Sequence, residues 1–454
     1  MSKQTVRFVC NNCGAQYSSW AGRCSQCGEW NTITEEVQIT ATNTGLNKKA
    51  GLGAILQVGD ITATASREDK RMQTGIADVD AVLGGGIVTG SVNLIAGQPG
   101  IGKSTLLLQL ASQVARKYNV LYVSGEESQH QVSMRAQRLG ISTPKLKLAS
   151  TNTAEDIAAT IKDGSYDFVV VDSIQTMTVE AVTAAPGSVS QITNSTAVLV
   201  AAAKASDTAM FIVGHVTKEG SIAGPKVLEH IVDVVLQLEG EVYGDFKILR
   251  ATKNRFGPTS EAAIMEMDGE GLKPVLNPSE ALLAERQVTD GSVVLATLEG
   301  TRPLLVEVQA LVNKTSYGYP KRAASGMDLG RLNLLIAMLE RRTKLNLSEQ
   351  DIYINIVGGI KLSDPAADLA VCMAIGSAAK GLQLKQNAVV FGEVGLSGEV
   401  RHVPFIQKRV AEAMKLGFDV AIGPPDRSKR SSKEAAFLHM VPDVRTALND
   451  FLEK

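Results

Sequence analysis

Residues 97–104 read Gly-Gln-Pro-Gly-Ile-Gly-Lys-Ser, and no other stretch restricts the folding of this chain as severely. Three glycines in six positions let the backbone turn so tightly that successive N–H groups converge on one point, an arrangement that favours an anion. The flanks agree: residues 92–96 are apolar enough for a buried strand, and from Lys103 onward leucines recur at helical spacing. Strand, loop and helix in that order aim both the loop amides and the positive end of the helix dipole at a phosphate chain. Gly97, Gln98, Pro99, Gly100, Ile101 and Gly102 are expected to form the cradle, with Lys103 reaching the β and γ phosphates. Ser104, with Thr105 beside it, would offer the hydroxyl that ligates Mg²⁺. The ligand expected is ATP.

Further short apolar runs at 120–124, 168–172, 209–214 and 234–239 alternate with amphipathic stretches between Thr74 and about Asn277, which predicts parallel strands joined by crossover helices. Aromatic residues at 4% are sparse for an all-β protein and favour the same α/β class. The run 168–171 delivers Asp172 to a strand end, where a carboxylate would hold Mg²⁺ through water. The run 120–124 delivers Glu126 and Glu127 likewise; Glu126 is the favoured general base, Glu127 the runner-up. His215 follows another strand end and is expected either to sense the γ phosphate and move the loop 219–224, or simply to cap its strand. Lys253 and Arg255, two residues apart, share one side of an extended segment.

Cys10-x2-Cys13 and Cys24-x2-Cys27, each pair followed by a glycine, are four thiolates at the spacing of a tetrahedral Zn²⁺ site; iron or disulfides are the rivals. A segment this short gains its folding energy from the metal, so the zinc is structural. Residues 1–34 form this module and 35–60 a linker, followed by units at 61–277 and 278–454. Residues 293–298 and 304–312 are expected strands of the last unit, and Cys372, inside an apolar run, is expected in its core. Met1 to Gln4 lack an apolar signal core, and no apolar run approaches the roughly 20 residues of a membrane span, so a soluble, cytoplasmic protein is expected. A net charge of −1 provides no global field for nucleic acid, so any DNA contact must be local.

The strand-end carboxylates around the loop resemble a RecA-like ATPase core. The segment Lys253-Asn254-Arg255-Phe256-Gly257, placed after the last core strands, resembles the finger pair that RecA-like ring motors insert into a neighbouring subunit's site. Four-cysteine ribbon, phosphate loop, this segment and a C-terminal α/β domain together resemble the bacterial RadA (Sms) family of DNA-repair ATPases across essentially the whole chain. The resemblance implies single-stranded DNA and branched recombination intermediates as substrates, the RecA recombinase as partner, and a homo-oligomeric, hexameric ring that drives branch migration. The C-terminal domain resembles the Lon protease domain at 356–379 and 392–417. Where Lon carries its serine this chain has Ala366, and Gln407 replaces the activating lysine unless the alignment slips to Lys408, so proteolysis is not expected. Arg401, Lys408, Arg409, Lys415, Arg427, Lys429, Arg430 and Lys433 form either a DNA-facing patch or a solvated helix face. Residues 183–191 and 218–226 are the candidate DNA loops of the core; neither contains an aromatic residue.

Overall fold

The computed structural model describes residues 5–10, 16–26, 28, 30, 33–38, 71–215, 225–240, 246–316, 318–384, 387–425 and 436–453. Between 71 and 274 the chain builds one nine-stranded sheet in the order Gly271–Pro274, Ala262–Asp268, Phe246–Asn254, Val234–Glu239, Val92–Gly97, Ala209–His215, Phe168–Asp172, Val120–Ser124, Leu146–Ser150. The strand Val92–Gly97 lies between Ala209–His215 and Val234–Glu239 and is parallel to both. Parallel pairing continues to Leu146–Ser150, whereas beyond Val234–Glu239 the strands run antiparallel. The runs expected as strands are strands, one residue longer at Gly97 and His215.

These strands read as continuous apolar runs because both sheet faces are covered. Every residue of Val92–Gly97, Val120–Ser124 and Phe168–Asp172 is buried. Alternation within a strand divides the core in two: Ile95, Tyr122 and Val170 pack under the helix Lys103–Val114, while Leu94, Val123 and Val171 face Ala154–Asp163 and Val189–Ala205.

A second, seven-stranded mixed sheet occupies the C-terminal part: Arg322–Ser325, Gln350–Ile356, Arg302–Lys314, Ser292–Glu299, Ala388–Val390, Val420–Gly423, Leu438–Met440. Its central helix Ala367–Lys380 is buried from Ala367 to Ser377, with Cys372 fully enclosed as expected. The apolar core of this part continues without a break into Ile248, Ala262 and Ile264 of the first sheet. Arg250 on the first sheet lies 2.9 Å from Glu299 on the second, and Arg302 2.7 Å from Asp78. Gly300, at φ 63°, has room for no side chain, since a Cβ would lie 1.9 Å from the Ser260 carbonyl.

At the N-terminus Thr5–Cys10 pairs antiparallel with Gln16–Tyr17 and, residue by residue, with Ile33–Gln38. Among the described residues no helix is long and apolar enough to cross a membrane.

Candidate nucleotide-binding and hydrolysis site

The segment after Gly97 leaves the C-terminal edge of the sheet at its centre, where strand order switches direction and a crevice opens. Gly100 (φ 78°) and Gly102 (φ 112°) are in the left-handed region, so the loop conformation requires glycine there. Gly97 is required for a different reason: a Cβ would lie 2.6 Å from the Leu238 carbonyl of the adjacent strand. Lys103 opens the following helix, is 3% exposed, and donates from Nζ to the carbonyls of Gly97 and Gln98 at 2.9 Å each. Burial lowers its pKa to about 8, against the opposing attraction of Asp172 and Glu126.

Two strand ends bring carboxylates to this ammonium, and a third brings His215. Asp172, 6% exposed, accepts at 2.6 Å from the Tyr122 hydroxyl. Burial and the neighbouring carboxylate push the Tyr122 pKa well up, which keeps it a donor and fixes the orientation of Asp172. Glu126 Oε1 accepts from the Ser173 hydroxyl and lies 3.2 Å from His215 Nε2. The hydrogen bond from His215, supported by Ser173 and Lys103, overrides partial burial and lowers the Glu126 pKa to about 2. Glu127 instead meets Arg135 at 2.6 Å. Lys103, Ser104, Thr105, Glu126, Glu127, Asp172 and His215 thus line one cleft of about 300 Å³. A second hollow of similar size adjoins it beside Gly100 and Gly102, walled by Arg138, Leu139 and the turn 268–271. Tyr122, Ser173 and Arg135 escaped the sequence reading: Tyr122 reads as one more apolar strand residue, and Arg135 lies on a helix whose inward face is not evident from spacing alone.

The oriented Asp172 carboxylate and the Ser104 hydroxyl in one cleft form a hard-oxygen set that suits Mg²⁺. In the ribbon the Cys24 sulfur is buried against the Tyr17 hydroxyl at 3.0 Å, and Gly28 (φ 78°) donates to the Cys24 carbonyl, the turn a thiolate knuckle needs. Cys10 ends its strand, while its side chain and residues Cys13 and Cys27 lie outside the described residues.

Family models match three stretches: an AAA domain over residues 62–221, a rubredoxin metal-binding domain over 8–35, and subunit ChlI of Mg-chelatase over 335–427. The chain is 49% identical over 430 residues to the DNA repair protein RadA of Bacillus subtilis, covering 93% of both chains. It is 45% identical to the RadA of Pseudomonas aeruginosa over 100% of both. The chain belongs to the RadA family of DNA repair proteins. Its fold class is accordingly α/β, a RecA-like parallel-sheet ATPase core between an N-terminal zinc ribbon and a C-terminal Lon-protease-like domain. A solved structure titled "Crystal structure of the RadB recombinase" is similar at 21% identity, with a TM-score of 0.37, over 45% of this chain and 99% of that one.

The remaining motif of this RadA-family chain lies far from its phosphate loop. Val234 pairs with both Asn93 and Asn254, so Lys253 and Arg255 sit at the N-terminal edge of the sheet, one strand length, roughly 15 Å, from the loop at the C-terminal edge. There Lys253 Nζ donates to the carbonyls of Glu229 (2.5 Å) and Val232 (2.8 Å), and Arg255 pairs with buried Asp233 at 3.1 Å.

Two expectations are corrected. Arg409 is no part of a cationic surface: it is fully buried, donates to the Ala296 carbonyl at 2.6 Å and pairs with Asp364 at 2.8 Å, because it falls on the inward face of the helix Ile406–Lys415. The stretch 183–191 is not all loop: Ser188 caps the helix Val189–Ala205, and buried Gln191 bonds the backbone of residues 179, 182 and 184. Residues 216–224, with most of the second candidate loop, and 427–433 lie outside the described residues. In the Lon-like domain Ala366 is fully buried, Gln407 exposed, and Lys408 donates to the Thr301 carbonyl.

Proposed function

We propose that this chain is a DNA-dependent ATPase of recombinational repair, working in the cytoplasm as a homo-oligomeric ring that translocates on single-stranded DNA. With the RecA recombinase it promotes branch migration of recombination intermediates. The observation that carries this reading is the separation of the site's two halves: phosphate loop and carboxylates at one sheet edge, Lys253 and Arg255 at the other. Cations held that far from their own loop act on phosphates only across an interface, which closed rotational symmetry turns into a ring.

In this reading the amides of residues 97–102 and Lys103 bind the triphosphate of ATP, whose base extends into the hollow beside Arg138. Mg²⁺, held by Ser104 and Asp172, would neutralise phosphate charge. Glu126 orients the attacking water; its low pKa suits a positioning acceptor, and Glu127, already paired with Arg135, is the poorer candidate. His215 leaves Glu126 when a γ phosphate arrives and carries that change into the segment that follows it. Lys253 and Arg255 of a neighbouring subunit complete the charge stabilisation. Zinc on Cys10, Cys13, Cys24 and Cys27 holds the ribbon. The domains run 1–34, 35–60 (linker), 61–277 and 278–454. With alanine at 366 the last is a scaffold and not a protease.

The test is ATP turnover with and without single-stranded DNA, in the wild type, in Lys103→Ala, in Arg255→Ala and in an equal mixture of the two variants. DNA should stimulate the wild type, each variant should be silent, and the mixture should recover about a quarter of the wild-type rate, the fraction of interfaces that unite an intact loop with an intact finger. Indifference to DNA, or a silent mixture, would sink the reading. Casein should remain uncleaved throughout.

A further inference from the structure

The chain has two tryptophans in 454 residues, and both stand in the ribbon, Trp20 61% exposed and Trp30 65% exposed. An indole left that far in water is unusual, because few side chains gain more from burial. The two are not scattered. A point one bond above the Gly22 Cα lies 3.7 Å from Cη2 of Trp20 and 3.9 Å from Cζ3 of Trp30, so both ring edges converge over a glycine that places nothing between them. Arg23 and Trp30 are bridge partners across the ribbon, and the Arg23 guanidinium lies 5.7 Å from the Trp30 ring centre. Arg23 is itself held in place, its Nε donating to the Gly28 carbonyl at 2.7 Å.

We infer that Trp20, Gly22 and Trp30, with Arg23, form a stacking platform that takes an unpaired base of single-stranded DNA. Two planar faces and a cation match a nucleotide, whose base stacks while its phosphate meets the charge. The surroundings carry hydroxyls that suit a phosphate: residues 16–30 contain Arg23 and a single acidic residue, Glu29, and exposed Ser18, Ser19 and Ser25 offer hydroxyls. The inference rests on DNA being the substrate, and it answers a need left by the core, whose candidate DNA loops have no aromatic side chain.

Because both tryptophans belong to the platform, the intrinsic fluorescence of the full chain reports on it directly. Oligo-dT should quench that emission along the same isotherm that labelled oligo-dT follows in anisotropy. An abasic deoxyribose-phosphate chain should bind with little quenching. Replacing both tryptophans, Trp20→Ala with Trp30→Ala, should weaken oligo-dT binding roughly ten- to a hundredfold, with zinc content and DNA-free ATP turnover unchanged and Trp→Phe replacements recovering part of the loss. DNA that binds by anisotropy with no change in tryptophan emission overturns the platform and leaves the ATPase reading intact. So does quenching by the recombinase but not by oligo-dT, which assigns the indoles to a protein partner. No anisotropy change at all removes the DNA reading and the platform with it.

Discussion

Lys103 shows how one residue's surroundings set its chemistry. A lysine normally titrates near 10.5, but enclosed at 3% exposure it does so near 8, even with Asp172 and Glu126 close by. Phosphate binding needs the ammonium. Affinity for ATP should therefore hold up to pH 8 and then fall about tenfold per unit, well before an ordinary lysine would lose its proton. Calorimetry at pH 8.5 should show proton uptake on binding, as heats that vary with buffer ionisation enthalpy; flat affinity from pH 7 to 9.5 would contradict it. The sign for stability is opposite: between pH 8 and 10.5 the unfolded chain keeps a proton that the folded chain has lost, so this residue's contribution improves as pH rises through that window. The glycine loop and Lys103 were legible in the sequence because they are contiguous, and Glu126, Asp172 and His215 because each stands at the end of an apolar run. Tyr122 and Ser173 were not, since their hydrogen bonds to Asp172 and Glu126 join positions far apart in the chain.

The informative element is the segment that carries Lys253 and Arg255. It is anchored by contact between two backbones: a Cβ on Gly257 would lie 2.7 Å from the Gly84 Cα, and Arg71 clamps both sides by donating to the carbonyls of Gly84 and Phe256. Gly257→Ala must push this segment outward without touching the phosphate loop. ATP turnover should fall about tenfold or more while ATP affinity stays within about twofold, because displacing a finger by an ångström costs transition-state contacts and not ground-state binding. Equal losses in both would mean that the segment supports the nucleotide site from within its own subunit. Helix Ile406–Lys415 teaches the complementary lesson. Its cations look alike in sequence, yet Arg409 is sealed against Ala296 and Asp364 while Lys408 and Lys415 are exposed. Position on the inward face with Ile406, Val410 and Ala413 decides which is which.

Across the whole molecule, the ATPase core and the Lon-like domain are joined by a shared apolar core and by partly buried ion pairs. Glu299, 4% exposed, has its pKa raised by burial despite Arg250 beside it. Removing Arg250 strands that carboxylate, and Arg250→Ala should cost on the order of 3 kcal/mol at pH 7. The loss should shrink as pH falls and Glu299 takes up a proton. Scanning calorimetry should show both domains melting in one transition in the wild type and separating in the variant; two transitions in the wild type would contradict a shared core. What the sequence determined alone is what depends on neighbours along the chain: the glycine loop, the apolar runs that became strands, the paired cysteines, and with them the three-part order. Tertiary structure alone decided what depends on residues brought together across the sheet: Tyr122 orienting Asp172, Arg409 turned inward, and Lys253 and Arg255 one strand length from the loop. Local backbone chemistry can be read from adjacent residues, whereas burial and distance are properties of the packed whole.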